Sequence, residues 1–208
     1  MKKWESYLLG AFRDGSAKGY GKDYQIVIWQ KERGWLERIQ SILQKMLGKK
    51  VKIKRDRNGF RIKFHNKKFF QWLINNDFPK SGDQSHWRTP TNIKKDMELQ
   101  RFYIAGFFDA EGGIGKYKKG NKIYLRIDFY HSWNNSFECP PLEDIKLFLE
   151  NLQIKCGDVR KRKKGKNNRL PRFVLSISNL NSIRKFFELI PFCHPVKRKE
   201  LAALLAEA

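Results

Sequence analysis

Apolar positions along the chain fall into a fixed order of periods, and that order occurs twice. Residues 5–14, SYLLGAFRDG, read as a short apolar helix. Residues 22–29, KDYQIVIW, alternate as a strand does, with Tyr24, Ile26 and Ile28 on one face and Gln25 and Val27 on the other. Residues 32–47 set Trp35, Leu36, Ile39, Ile42, Leu43 and Met46 on one helical stripe. KVKIKRD (50–56) and FRIKFH (60–65) follow as strands about the turn signal Arg57-Asn58-Gly59. Phe69, Phe70, Leu73 and Ile74 form the apolar side of a helix over 66–76.

Residues 78–96, rich in proline and polar side chains, interrupt the pattern and read as a connection. The order then resumes. RFYIAGFFDAEGG (101–113) is an apolar helix ending in acid and glycine, and NKIYLRIDFYH (121–131) is a strand with Ile123, Leu125, Ile127 and Phe129 on one face. A helix at 142–154 carries Leu142, Ile145, Leu149 and Leu152. A basic segment, 158–169, leads into the strand RFVLSIS (172–178), and helices follow at 180–190 and 196–207. Each half reads helix, two strands, helix, two strands, helix. A period near 95 residues is too long for a solenoid repeat and predicts two similar α+β units packed together.

Charge gives the pattern a partner. Among 208 residues, Lys and Arg number 44 against 21 Asp and Glu, a net charge of +23, which points to a polyanion. A 40% hydrophobic content, with 16 Phe, 7 Tyr and 6 Trp, excludes a disordered chain. No apolar run approaches a membrane span, and MKKWESYLLGAFRDGS lacks the apolar core and cleavage site of a secretory signal. Cys139, Cys156 and Cys193 are scattered and odd in number, as expected of idle thiols in a reducing compartment. An intracellular protein is expected, in cytoplasm, nucleoid or organelle matrix.

The basic residues concentrate on the polar faces of strands. Lys50, Lys52, Lys54, Arg61, Lys63, Lys116, Lys118, Lys122 and Arg126 are candidates, with Tyr124 beside them. Lys22, Gln25, Lys31, Asp128, Arg160, Arg162 and Arg172 complete the set. A sheet with one face on a core and the other basic suits the DNA major groove.

YLLGAFRDGS (7–16) and YIAGFFDAEGG (103–113) carry the chemistry. Gly10 and Gly106 would let two helices press together closely. Gly15 and Gly112 are expected to be left-handed residues after the helix ends. Asp14 and Glu111 then sit at helix C-termini, where the dipole disfavours anions, and helix pairing would bring them together. A divalent cation between them removes both problems.

These two segments resemble the LAGLIDADG motif of homing endonucleases, and the chain over about 1–207 resembles the monomeric, two-repeat members. The resemblance implies two pseudo-symmetric αββαββα repeats, each a four-stranded antiparallel sheet with helices on one face and the motif helices packed at the repeat interface. Residues 1–78 would be the first repeat, 79–96 a linker and 97–208 the second repeat with a C-terminal helix. It implies divalent-metal-dependent double-strand cleavage of a long DNA target during intron homing, with Asp14 and Glu111 as ligands of Mg²⁺. Asp109 would be the inner, structural acid. Asp14 lies four residues after Gly10, whereas Glu111 lies five after Gly106, so the first helix end must tighten.

IVIWQKERGW (26–35) resembles the family's corner beside the metals, which implies a water-orienting role for Gln30, with Lys31 next to it. Alignment of the halves puts His131 opposite Gln30. IPFCHPVKRKEL (190–201) resembles the segment with a basic catalytic lysine. Lys197 is the choice there, with Arg198 and Lys199 as alternatives, and Lys94 is the first-half candidate. An RNA maturase, or a nucleic-acid-binding protein of the same fold without cleavage, is the alternative reading, with intron RNA as the possible partner.

Overall fold

A computed structural model describes residues 1–20, 23–82, 84–120, 122–135, 137–162 and 170–207. The first half runs α1 (Lys3–Ala11), a 3₁₀ turn (Phe12–Asp14), β1 (Gly15–Tyr20), β2 (Asp23–Gln30), α2 (Arg33–Leu47), β3 (Ile53–Asp56), β4 (Gly59–His65) and α3 (Lys67–Ile74). A connection holding a 3₁₀ turn (Gln84–His86) and α4 (Thr91–Lys94) follows. The second half runs α5 (Met97–Glu111), β5 (Gly112–Lys119), β6 (Lys122–Ser132), α6 (Pro140–Asn151), β7 (Arg160–Lys161), β8 (Arg172–Ile177) and α7 (Leu180–Leu189), and α8 (Pro195–Ala206) comes last. The two sheets share one topology, β1-β2-β4-β3 and β5-β6-β8-β7, with every pair antiparallel.

Alternation in the strands sorts side chains as the sequence implies. Ile26, Ile28, Ile62, Phe64, Ile127, Phe129, Phe173, Leu175 and Ile177 are buried against the helices. Their neighbours face away from the core. Among the described residues no helix is long and apolar enough to cross a membrane.

The halves meet through α1 and α5. A Cβ on Gly10 would lie 2.2 Å from the Tyr103 carbonyl oxygen, and one on Gly106 would lie 2.0 Å from that of Tyr7. Backbone therefore touches backbone, closer than side chains on either glycine would allow.

Three expectations change. Gly15 and Gly112 are not left-handed: they are extended, at φ −110° and −86°, and open β1 and β5 directly. Their glycine identity is steric. A Cβ at Gly15 would meet the Phe12 ring at 2.7 Å, and one at Gly112 the Phe108 ring at 2.1 Å. Lys50 and Lys52 precede β3 rather than belonging to it, because Val51 is tied to α2 by hydrogen bonds from Gln40 and to Gln44. Finally, α5 begins at Met97, capped by the Asp96 carboxylate on the Glu98 and Leu99 N–H groups.

Candidate active site

Sheet register fixes which residues are equivalent. Gly15 pairs with Ile28, and Gly112 pairs with Phe129. Two residues further on, Gln30 and His131 occupy matching positions, as do Lys31 and Ser132 after them. Asp14 ends the 3₁₀ turn after α1, and Glu111 ends α5.

The shorter first motif is absorbed by a change of helix type. Three residues, Phe12–Asp14, form a 3₁₀ turn where the second repeat has four α-helical residues, 108–111. Three 3₁₀ steps of roughly 2.0 Å climb about 6 Å, the same rise as four α steps of roughly 1.5 Å. Asp14 thus reaches the level of Glu111.

Asp14 senses the charge of Glu111. Burial, and then the Glu111 charge, push Asp14 up to about 7, with Lys197 pulling the other way. Burial also raises Glu111, opposed by Arg172, Lys197 and Arg13. Gln30 Nε2 donates to Asp14 Oδ2 at 3.1 Å, while Gln30 Oε1 accepts from the Lys31 N–H at 2.8 Å and so fixes the amide's orientation.

Lys197 comes from α8. Its Nζ donates to the Phe108 and Asp109 carbonyl oxygens at 2.7 and 2.8 Å, at the end of α5 where the helix dipole favours a cation. An ammonium has three N–H groups, so one remains for a ligand. Burial lowers Lys197 to about 8 against the pull of Asp109, Glu111 and Asp14. The alternatives lie elsewhere. Arg198 stacks over the Phe187 and Phe192 rings and donates to the Phe192 carbonyl oxygen, and Lys199 is exposed. Lys94 is bound to Asp144 at 2.7 Å and takes no part in the site.

His131 is buried, and its Nε2 has no hydrogen-bond partner. Burial and the nearby Arg13 charge hold it well below the usual imidazole range, so it is neutral. With Glu111, Arg13, Gln84, Ser132 and Arg172 it lines a cleft of about 290 Å³. Asp109 is buried, accepting from the Tyr7 hydroxyl at 2.5 Å and from the Cys193 and His194 N–H groups at 2.8 and 3.1 Å. It holds the start of α8, and therefore Lys197, in place.

Sequence reasoning missed Arg13. This guanidinium is buried, donating to the Trp87 and Arg88 carbonyl oxygens and to the Tyr103 hydroxyl. The available signal was a lone arginine inside an apolar motif, directly before the acid.

Among the described residues, no group of three or more His, Cys, Asp and Glu could by itself hold a metal ion. Two hard carboxylates fit a divalent cation that shares phosphate and water ligands, not an all-protein cage.

The basic residues lie on the sheets as expected, with one departure. Gln25, Lys54, Arg61, Lys63, Lys116, Tyr124, Arg126, Arg160 and Arg172 are strand residues, with Lys31 and Arg162 just past strand ends. Lys54, Arg61, Lys63 and His65 line one groove of the first sheet. Lys22 and residues 163–169 lie outside the described residues, as do the side chains of Lys118 and Lys122. Asp128 is the departure. Its carboxylate is buried beneath its neighbours and accepts from Arg126, Tyr130 and Ser176, so it is not an exposed contact.

Comparison with known proteins follows the same lines. The family described as LAGLIDADG-like domain matches residues 98–191, within the second repeat. A homing endonuclease from Aeropyrum pernix, I-ApeI, is 29% identical over 205 residues, covering 96% of this chain and 86% of that one. The second repeat is a LAGLIDADG-like domain. Solved structures share its fold. I-DmoI in complex with DNA and Mn superposes with a TM-score of 0.62 at 20% identity, covering 92% of this chain and 98% of that chain. The I-LtrWI LAGLIDADG homing endonuclease bound to target DNA gives 0.59 at 11% identity, covering 98% and 90%. I-DmoI was also solved with DNA and Ca. Both LAGLIDADG segments of this chain, one matched directly and one equivalent by sheet register, deliver an acid to the same interface.

Proposed function

We propose that this protein is a homing endonuclease that cuts both strands of a long DNA site using Mg²⁺. The observation that carries the reading is the meeting of Asp14 and Glu111, one from each repeat, at the α1–α5 interface. Because a single chain supplies both acids, a monomer completes the site. A DNA substrate supports the reading of an intracellular protein.

Asp14 and Glu111 would hold the metal, which when bound would activate water and stabilise the leaving oxygen. Gln30, oriented through Lys31 N–H, would direct one attacking water beside Asp14. On the other side His131, neutral and with Nε2 unpartnered, would accept a hydrogen bond from water beside Glu111. Lys197 would stabilise negative charge gathering on the phosphate, or give its proton to the departing oxygen. Arg172 and the strand lysines would hold the backbone phosphates.

The test is cleavage of a plasmid carrying the uninterrupted intron insertion site, with and without Mg²⁺. Linear product should form only with Mg²⁺, and Glu111→Gln should abolish it while DNA binding persists. Normal cutting by that variant would overturn the assignment. Absence of cutting, together with splicing help to the host intron RNA, would favour the maturase reading.

A further inference from the structure

On the polar face of the second sheet sits a cluster that the cleavage chemistry does not use. Asp128 belongs to the outward-facing set of β6, with Tyr124, Arg126 and Tyr130, yet it is 2% exposed. A buried carboxylate must be paired. Here Arg126 Nε donates to it at 2.9 Å, the Tyr130 hydroxyl at 2.8 Å and Ser176 Oγ at 2.6 Å. The Tyr130 ring is in turn held beneath the Arg172 and Arg162 guanidinium groups, at 4.7 and 5.4 Å.

The consequence falls on Arg126. Its Nε is taken by Asp128, and its guanidinium lies 5.9 Å from the centre of the Tyr117 ring. The side chain keeps 41% of its surface exposed. An arginine held by Nε presents its two terminal nitrogens as a fixed fork, the geometry that matches O6 and N7 of guanine in the major groove.

Gly115 adds a second observation. It pairs with Arg126 across the β5–β6 ladder, in extended backbone, and a Cβ there would meet nothing within 4 Å among the described residues. Protein packing does not require glycine at this place. A glycine inside a strand beside a reading side chain leaves room for another molecule to come close.

We propose that Arg126, held by Asp128, reads one guanine in the half of the target bound by the second repeat. This rests on the DNA-target reading above. The first repeat lacks the device. By sheet register, Gln25, Val27 and Lys63 stand where Arg126, Asp128 and Ser176 stand in the second. The guanine preference therefore belongs to one half-site only.

The test is selection from a randomised duplex DNA library by the full chain with EDTA present, so that no strand is cut. The wild-type protein should return a motif with one strongly preferred guanine in one half. Arg126→Lys keeps the charge but loses the fork. It should reduce preference at that position alone by roughly 10- to 100-fold. Asp128→Asn should relax the same position and leave the others unchanged. A motif whose guanine survives Arg126→Lys overturns the proposal while leaving the DNA reading intact, as does equal loss at every position. A wild-type protein that selects no motif would sink both. Arg126→Lys keeps a cation beside Asp128, which still accepts from Tyr130 and Ser176, and an unchanged thermal unfolding midpoint shows that the fold is kept.

Discussion

Asp14 is held at a cost that can be measured. Folding raises this carboxyl from its ordinary 3.8 to about 7, through burial and the Glu111 charge. Between those values the native state holds a proton that the unfolded chain has released. Stability of the metal-free protein therefore falls as pH climbs from about 4 to about 7 and stays reduced above that. At 1.36 kcal/mol per pKa unit, the penalty at pH 8 reaches about 4 kcal/mol as an upper bound, trimmed because Asp14 keeps part of its surface in water. Asp14→Asn is nearly isosteric and can still accept from Gln30, but carries no charge. In urea unfolding with EDTA, the variant should exceed wild type by about 1.5 kcal/mol at pH 5 and by up to about 4 kcal/mol at pH 8. Added Mg²⁺ should narrow the gap by stabilising wild type alone. Equal stability at pH 8, or a gain that shrinks with rising pH, would refute the reasoning. The variant should also lose cleavage, so the most stable form is the inactive one.

Four further outcomes follow from the same contacts. Gly106→Ala should lower stability by about 3 kcal/mol or more in thermal unfolding, since its Cβ would press on the Tyr7 carbonyl oxygen and part the helices. Asp109→Ala should cost about 2–4 kcal/mol by leaving the Tyr7 hydroxyl and two N–H groups unpaired, and should slow cleavage by loosening the start of α8 that carries Lys197. Arg13→Met should cost about 3 kcal/mol, read by denaturant melts, because the buried Trp87 carbonyl and Tyr103 hydroxyl lose their donor. Binding of the target should weaken on the order of 10³- to 10⁵-fold between 50 and 200 mM salt if about 8 phosphates are neutralised; a flat salt response in filter binding would contradict the basic-sheet interface.

Most of the architecture was legible because it rests on period. Alternation in 60–65 and 121–131 and the stripe in 32–47 each report a buried face, and burial decides strand and helix boundaries to within a few residues. The strands β1 and β5 carry no apolar alternation of their own, for a physical reason. Gly15–Tyr20 and Gly112–Lys119 are rich in glycine and lysine, and only pairing with β2 and β6 makes them strands. The motif acids could be found from spacing, because glycines and acids recur together. Arg13 and the buried state of Asp128 could not. A charge becomes interior only when chain segments distant in sequence, 87–88 and 103 for Arg13 or 176 for Asp128, arrive to satisfy it.

The two repeats share a backbone plan but carry opposite charges at its centre. Tyr7 and Tyr103 lie at matching places, each three residues before its interface glycine. Tyr7 donates its hydroxyl to Asp109, whereas Tyr103 accepts from Arg13. Each buried charge grips the segment running up to the next short helix: Asp109 takes the N–H groups of residues 193–194, and Arg13 takes the carbonyls of residues 87–88. The exchange happens at one equivalent position. Arg13 lies three residues after Gly10 and Asp109 three after Gly106, so the first repeat sets a cation where the second sets its inner acid, and the residue missing from the first motif is the counterpart of Ala110. The change has a second effect. An aspartate at that place would have added a further negative charge beside Asp14 and Glu111, whereas Arg13 lowers the cost of ionising Glu111 and adds to the burial that keeps His131 neutral. The first motif thus keeps its terminal acid in the pair while a structural cation stands where the second motif has a structural anion.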